Sequence, residues 1–390
     1  AGTFDYFLTA TVNDCHFNAQ MAIEPGTGTG DLAGINGIII FDEEPGDEAP
    51  WPVTGYVYYD SSQEAPVAQA PERPDVPPLA QRGPYAVGAR DIVIEDGDVL
   101  VPITLWYPAL NPDNRSEEIV YTINAEHVDF PGQEIAGQAL QNAPVNLEDG
   151  PYPLVIYSPG VAGWSQMSAY LGEHLASHGF AIASHMPRDS WDVLWPAAVA
   201  RPMDAKRIIA YFDDLSTEEG ELAGLVDAER VAVMGHSVGA VSTLQSAGAQ
   251  LNFGRCAVDP DSVPEDGSCL EFQPHEEEIA AEWGLPSVPS GMWPQIHDPR
   301  VDAVVALAPD GDVWGAQYEG VASVEIPALV MIGSSDRFIP LQEVNSTYEH
   351  LGSAEKALVV FEEADHTIFM NACDVTPWFA EFVAPWVCSD

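Results

Sequence analysis

Lysine is nearly absent: the chain of 390 residues holds Lys206 and Lys356 and no other. With the arginines there are 13 basic residues against 61 acidic ones, a formal net charge of -48. A polyanion of this size repels nucleic acid and anionic membrane surfaces, so neither is expected as a partner. Such a surface is either simply very soluble or adapted to high salt, where screening relieves self-repulsion. Long apolar runs are also missing; a stretch such as Gly37–Ile40 is far too short to span a bilayer. The chain starts at Ala1 without an apolar leader, which is read as a signal peptide already removed and a secreted protein.

Cysteine is sparse, five in all, and none sits in CxxC spacing or beside histidines, so a zinc site is not expected. Cys256 with Cys269, and Cys373 with Cys388, are close enough in sequence to form two local disulfides, which implies an oxidising compartment. Cys15 is left over. Aromatic and aliphatic residues are plentiful, which excludes a largely disordered chain.

Three regions follow. Residues 1–60 carry strand-like alternation in FDYFLTATV, GINGIIIF and VTGYVYYD, separated by Gly, Pro and Asp turns, and predict a small β-rich unit. Their GTGTG lacks the strand–helix context of a phosphate loop. Residues 61–83 have the Pro- and Ala-rich composition of a linker. Residues 84–390 alternate apolar runs with helical spacing: strands in DIVIED, VLVPITLWYPA, PLVIYSPG, FAIASHM, RVAVMG, VDAVVALAPD, PALVMIGSSD and KALVVF, helices over 168–179, 203–216, after Ser237 and around 341–351. Such alternation predicts an α/β fold, a mostly parallel sheet covered on both faces. Residues 251–298 interrupt it and read as an insertion that covers or shapes a cleft.

The chemistry centres on GHSVG, 235–239, which fits G-x-S-x-G between a β-branched run and a helix of small residues. That context makes Ser237 a candidate nucleophile, above the N-terminus of the following helix. A serine hydroxyl needs a base. Of ten histidines, His366 follows the last strand in a short EADH loop and is the candidate. His236 is adjacent to the serine and is read as structural. His174 and His178 are read as surface or packing residues, and His185, at a strand end, as a wall of the cleft. The orienting acid is Asp336 in GSSD, with Asp310 in ALAPDG as the runner-up; chain order Ser–Asp–His holds for both. Two N–H groups could hold an oxyanion: Val238, after the nucleophile, and Val161 in SPGVAGW. Gly160, Trp164, Asp310 and Trp314 complete the expected cleft.

Together GPYAVGARDIVI with VPITLWYPA, YPLVIYSPGVAGW, RPMDAKRII, DAERVAVMGHSVGA, DPRVDAVVALAP and the GSSD and ADH tails resemble the α/β-hydrolase superfamily. The detailed pattern is similar to its branch of platelet-activating-factor acetylhydrolase-like and predicted dienelactone-hydrolase-like esterases, over roughly residues 84–390. Bacterial polyester hydrolases and cutinases share the PG-x loop, GHS-x-G, the late aspartate and a C-terminal disulfide. In acetylhydrolases of this type the acid can follow the earlier strand, which would favour Asp310. Ser237 stands where true dienelactone hydrolases have cysteine, and Ala-Pro-Asp at 308–310 where polyester hydrolases typically have Ala-Pro-Trp. The resemblance implies a secreted serine ester hydrolase, active as a monomer on a soluble or polymeric ester. For a polymer, the N-terminal unit would aid surface attachment. A hydrolase fold used only for binding is the non-enzymatic alternative. No cofactor is required; the acidity leaves a structural calcium open, though the chain has no EF-hand-like loop.

Overall fold

The computed structural model describes four strands within residues 6–59 and then residues 78–371, apart from 124–132, 191, 218–219 and 259–266. Cys15 and the expected Cys373–Cys388 pair lie outside the described residues. The chain divides into two units, Ala1–Ala80 and Gln81–Asp390.

The first unit holds β1 (Tyr6–Asn13), β2 (His16–Ile23), β3 (Ile35–Glu43) and β4 (Val53–Tyr59), an antiparallel sheet in sequential order. Connections of 2, 11 and 9 residues separate successive strands, none long enough to need a crossover element between antiparallel neighbours.

The second unit begins with a hairpin, β5 (Ala86–Asp96) and β6 (Val99–Ala109), paired along its whole length around Gly97. A small second sheet of β7 (Ile119–Thr122) and β8 (Glu134–Gly137) follows, then β9 (Leu140–Gln141) at an edge. The parallel part comes next: β10 (Tyr152–Ser158), α1 (Ala169–Ser177), β11 (Ala181–His185), α2 (Ala197–Thr217), β12 (Val226–His236) and α3 (Val238–Ser246). Three short helices lie within 251–298: α4 (Gly254–Val258), α5 (Ser268–Phe272) and α6 (Glu276–Glu282). The unit closes with β13 (Val301–Leu307), β14 (Ala328–Gly333), α7 (Leu341–His350) and β15 (Lys356–Phe361).

The nine-stranded sheet runs β15-β14-β13-β12-β10-β11-β6-β5-β9. From β15 to β11 every neighbouring pair is parallel, while β6 runs antiparallel to both β11 and β5. Because β10 pairs with β11 on one side and β12 on the other, the winding direction reverses there. Ligand sites in open α/β sheets form outside the carboxyl ends of the strands at such a reversal. Those ends carry the SPGV loop after β10 and Ser237 after β12.

The core is formed by the central strands and their helices. All five residues of β11 and all nine of α3 are buried. Trp106, Trp164, Trp293 and Trp314 are fully buried. Helix α2 begins at Ala197 rather than at residue 203, and Pro202 lies inside it. Proline cannot donate to the carbonyl four residues back, a loss that usually ends a helix. Here Gln245 Nε2 on α3 donates to that carbonyl, Ala198 O, at 2.9 Å, so the helix continues. At the far end of α7, Lys356 Nζ donates to Tyr348, Glu349 and Leu351 carbonyls at 2.8–3.1 Å. A cation at a helix C-terminus satisfies groups that have no partner within the helix.

The 251–298 segment is tied down by the Cys256–Cys269 disulfide, with Cα atoms 6.1 Å apart. An aromatic cluster supports it: Phe253 lies edge-on to Phe272 and Trp293, and Trp283 stacks on Trp293.

Candidate active site

The turn from β12 into α3 holds Ser237 at φ 57° and ψ -126°, a region costly for any residue with a Cβ. It is held from both sides: Ser237 N donates to Leu307 O at 2.9 Å, and Ser237 O accepts from Ala240 N at 2.8 Å. The flanking glycines make room. A Cβ at Gly239 would stand 2.1 Å from Ser158 O, and one at Gly235 would stand 2.3 Å from Gly239 O. No side chain fits either gap.

The Asp336 side chain is fully buried, and its Oδ2 receives His366 Nδ1 at 2.7 Å. Its Oδ1 accepts the Phe338 and Ile339 N–H groups at 2.9 and 2.8 Å, which fixes the carboxylate plane. Two residues further support His366. Asp365 Oδ1 accepts the His366 N–H at 2.7 Å and the carboxylate pairs with Arg337. Burial alone would raise the Asp365 carboxyl; the His366 N–H and Arg337 together outweigh it and hold the group below its usual range. His236 Nε2 lies 3.0 Å from His366 O. Only a protonated nitrogen can donate to a carbonyl, so His236 carries its hydrogen on Nε2. Burial, then the neighbouring His366, keeps the His236 pKa well below normal. The two imidazoles lie 4.6 Å apart, and Phe338 packs on His366 at 5.1 Å. The residue next to Ser237 therefore anchors the loop that carries the candidate base.

Asp310 has other partners. It is buried, accepts Ser268 N at 2.7 Å and Asp312 N at 3.3 Å, and among the described residues has no hydrogen bond or ion pair with a histidine. Asp312 Oδ1 accepts Cys269 N at 3.1 Å. The two carboxylates thus hold the start of α5, joining the 251–298 segment to the loop after β13. Burial first, then Asp310, push the Asp312 carboxyl well above its usual range. The runner-up acid thus meets backbone N–H groups, one of them in the insertion, whereas Asp336 meets His366.

Three of the cleft residues expected from the sequence are covered. Trp164, His185 and Trp314 are each no more than 1 % exposed, so they pack inside rather than form an open wall. His185 Nε2 bonds Ser158 Oγ at 3.0 Å, and burial, then Arg201 and Arg188, lower its pKa to about 3. Gly160 lies beside the nucleophile turn: a Cβ there would be 3.4 Å from His236 Nδ1 and 3.8 Å from Ser237 Cβ. Val161 opens a tight turn in which Gly163 N donates to Gly160 O at 3.2 Å. Val238 is the first residue of α3, where a backbone N–H has no partner within the helix. Sequence reading missed one residue at this site. Arg201, fully buried on α2, reaches the SPGV loop and Asp189. An arginine inside the apolar run AAVARP, in a chain so poor in basic residues, was the available signal.

Among the described residues, no group of three or more His, Cys, Asp or Glu could hold a metal ion, and no helix is long and apolar enough to cross a membrane.

Counted from β5 along the sheet, omitting the edge strand β9, the order is first, second, fourth, third, fifth and onward, with Ser237 after the fifth strand, Asp336 after the seventh and His366 after the eighth. That order, with a strained serine turn between strand and helix, is the α/β-hydrolase fold. Within it, residues 137–259 match the PET hydrolase-like family. The chain is 35 % identical to cutinase est1 of Thermobifida alba over 100 residues, 26 % of this chain and 32 % of that protein. It is 30 % identical to bis(hydroxyethyl) terephthalate hydrolase of Streptomyces coelicolor over 203 residues, 50 % and 54 % of the two chains. Platelet-activating factor acetylhydrolase of Cavia porcellus is 25 % identical over 246 residues, 47 % and 55 %. The chain thus has the α/β-hydrolase fold and is similar over part of its length to polyester hydrolases, and it spans about a third to just over half of the length of these curated relatives.

Proposed function

We propose that this chain is a secreted serine carboxylic-ester hydrolase in which Ser237, His366 and Asp336 act together. The observation that carries the reading is the 2.7 Å Asp336–His366 bond, in a loop tied through His236 to the serine turn. In this reading Asp336 accepts the Nδ1 hydrogen of His366, leaving Nε2 as the base. Ser237 Oγ attacks the ester carbonyl and passes its proton to His366 Nε2. The carbonyl oxygen, now negative, lies between the Val161 and Val238 N–H groups, with the α3 N-terminus behind it. Collapse of the tetrahedral intermediate breaks the bond to the alkoxy oxygen, which leaves as the alcohol with the proton from His366. Water then attacks the acyl-serine by the same route, releasing the carboxylic acid and restoring Ser237. The Cys256–Cys269 disulfide supports an oxidising, extracytoplasmic location.

Ser237→Ala tests this directly. Turnover of p-nitrophenyl butyrate should fall by roughly a thousandfold or more, and labelling by a fluorophosphonate should be lost. A variant that keeps wild-type turnover removes the reading.

A polyester substrate is the second reading, carried by the PET hydrolase-like match. Release of soluble acids from a polyester film by the wild type, and none by Ser237→Ala, would support it; turnover of soluble esters alone would remove it.

A further inference from the structure

Ester hydrolysis of the kind proposed depends on where the Val161 N–H points, and the structure shows what aims it. Gly160 O and Val161 N belong to one peptide group. In a trans peptide the C=O and N–H point in opposite directions within one plane. Arg201 Nη2 donates to Gly160 O at 2.9 Å, so the far side of that plane carries the Val161 N–H. The neighbouring peptide is held as well, because Arg201 Nη1 donates to Pro159 O.

The rest of the guanidinium is fully used. Nε and Nη2 form a fork to Asp189 Oδ1 and Oδ2, both at 2.7 Å, and Nη1 also reaches Ser158 Oγ at 3.2 Å. All five donors of the arginine have acceptors. Ser158 Oγ in turn contacts His185 Nε2 at 3.0 Å. Arg201 and Asp189 are each 1 % exposed.

Stability is a weak reason for such a pair, since dehydrating both ions offsets much of their attraction. What an apolar replacement could not reproduce is the direction of the remaining donors. A cation on a carbonyl also polarises the peptide, making its N–H a stronger donor. We infer that Arg201, oriented by Asp189, is a positioning residue that aims and polarises the Val161 N–H toward the reaction's developing oxyanion. Arg201 does not touch the substrate; it acts through the Gly160–Val161 peptide. The inference rests on the ester hydrolase reading above.

Arg201→Lys keeps the charge but cannot span Asp189 and two carbonyls. Asp189→Asn keeps the shape but loosens the fork, and Ser158→Ala removes one contact with little change of volume. Steady-state kinetics with p-nitrophenyl butyrate are measured beside the affinity of an arylboronic acid, whose tetrahedral serine adduct places an oxygen at the oxyanion position. A soluble alcohol or carboxylate product serves as the ground-state ligand.

For Arg201→Lys, kcat should fall at least about tenfold and at most about a thousandfold, the upper end being the loss when one oxyanion donor is removed, with KM within threefold of wild type. Boronate affinity should fall with kcat across the three variants while product affinity stays level. A purely structural role would lower product and boronate binding together. That result, or a folded Arg201→Lys with kcat and boronate affinity within twofold of wild type, overturns the inference. Should Arg201→Lys not fold, the same comparison in Asp189→Asn and Ser158→Ala decides it: unchanged kcat in both overturns it. Wild-type protein with no esterase activity would remove the proposed function and this inference with it; active wild type, inactive Ser237→Ala and fully active Arg201→Lys remove this inference alone.

Discussion

Replacing Asp336 by Asn changes one atom and should remove most of the activity. Asp336 Oδ1 is bound to the Phe338 and Ile339 N–H groups, so the amide nitrogen must face His366. Two N–H donors cannot share that line, and His366 Nδ1 becomes an acceptor with its hydrogen moved to Nε2. The base is then on the wrong nitrogen. The reaction also loses the attraction between the carboxylate and the imidazolium that forms as Ser237 attacks. At 2.7 Å and an effective dielectric constant near 20 this attraction is about 6 kcal/mol. With a tenfold change for each ~1.4 kcal/mol, that corresponds to about 10⁴ in rate, in line with the roughly 10⁴ loss when the carboxylate of a Ser–His–Asp triad becomes an amide. The assay is kcat for p-nitrophenyl butyrate near pH 8 beside Asp310→Asn, with folding checked by circular dichroism. Asp310→Asn should stay within about threefold of wild type, because its partners are the Ser268 and Asp312 N–H groups. A larger loss in Asp310→Asn than in Asp336→Asn would refute the assignment.

Gly239→Ala places a methyl group 2.1 Å from Ser158 O; it should cost about 1–3 kcal/mol in urea unfolding and lower kcat by roughly a hundredfold, as the SPGV loop is pushed off α3. Replacing Cys256 and Cys269 together by Ala removes a cross-link between residues 13 apart and should cost about 3 kcal/mol, read as a lower thermal midpoint; an unchanged midpoint would show that the aromatic cluster suffices. His185 stays neutral in the fold down to about pH 3, whereas in the unfolded chain it charges below about pH 6.5. Its contribution is complete above pH 6.5 and is lost as pH falls toward 3, at up to about 1.4 kcal/mol per pH unit. His185→Asn should flatten the acid side of the stability profile by that slope, and an unaltered profile would contradict the burial argument.

Periodicity and local turn chemistry carry no information about distant partners, and this divides what was legible from what was not. The strands were legible because buried parallel strands are short apolar runs, and Ser237 because only glycines fit on either side of its turn. His366 and Asp336 were legible because each ends a strand in a short polar loop. Helix α2 was begun too late because Pro202 normally stops a helix; the compensating Gln245 is far away in sequence. Asp310 and Asp336 have the same local form, a carboxylate after a strand, and only the partners they meet in space separate them. His185 was placed in a cleft because it ends a strand, and Trp314 because it lies near Asp310, yet both are covered. Arg201 had no local role at all, since its acceptors lie on two other loops.

The lysine that closes α7 has a practical consequence. With Lys356 donating to three carbonyls, Lys206 is the one lysine side chain left for amine-directed chemistry. Coupling to activated resins, dye labelling and amine cross-linking would therefore address a single lysine on α2, five residues beyond Arg201. Carboxylate-directed coupling has no such selectivity, since the chain carries 61 acidic residues and Asp204, Asp213 and Asp214 lie on the same helix.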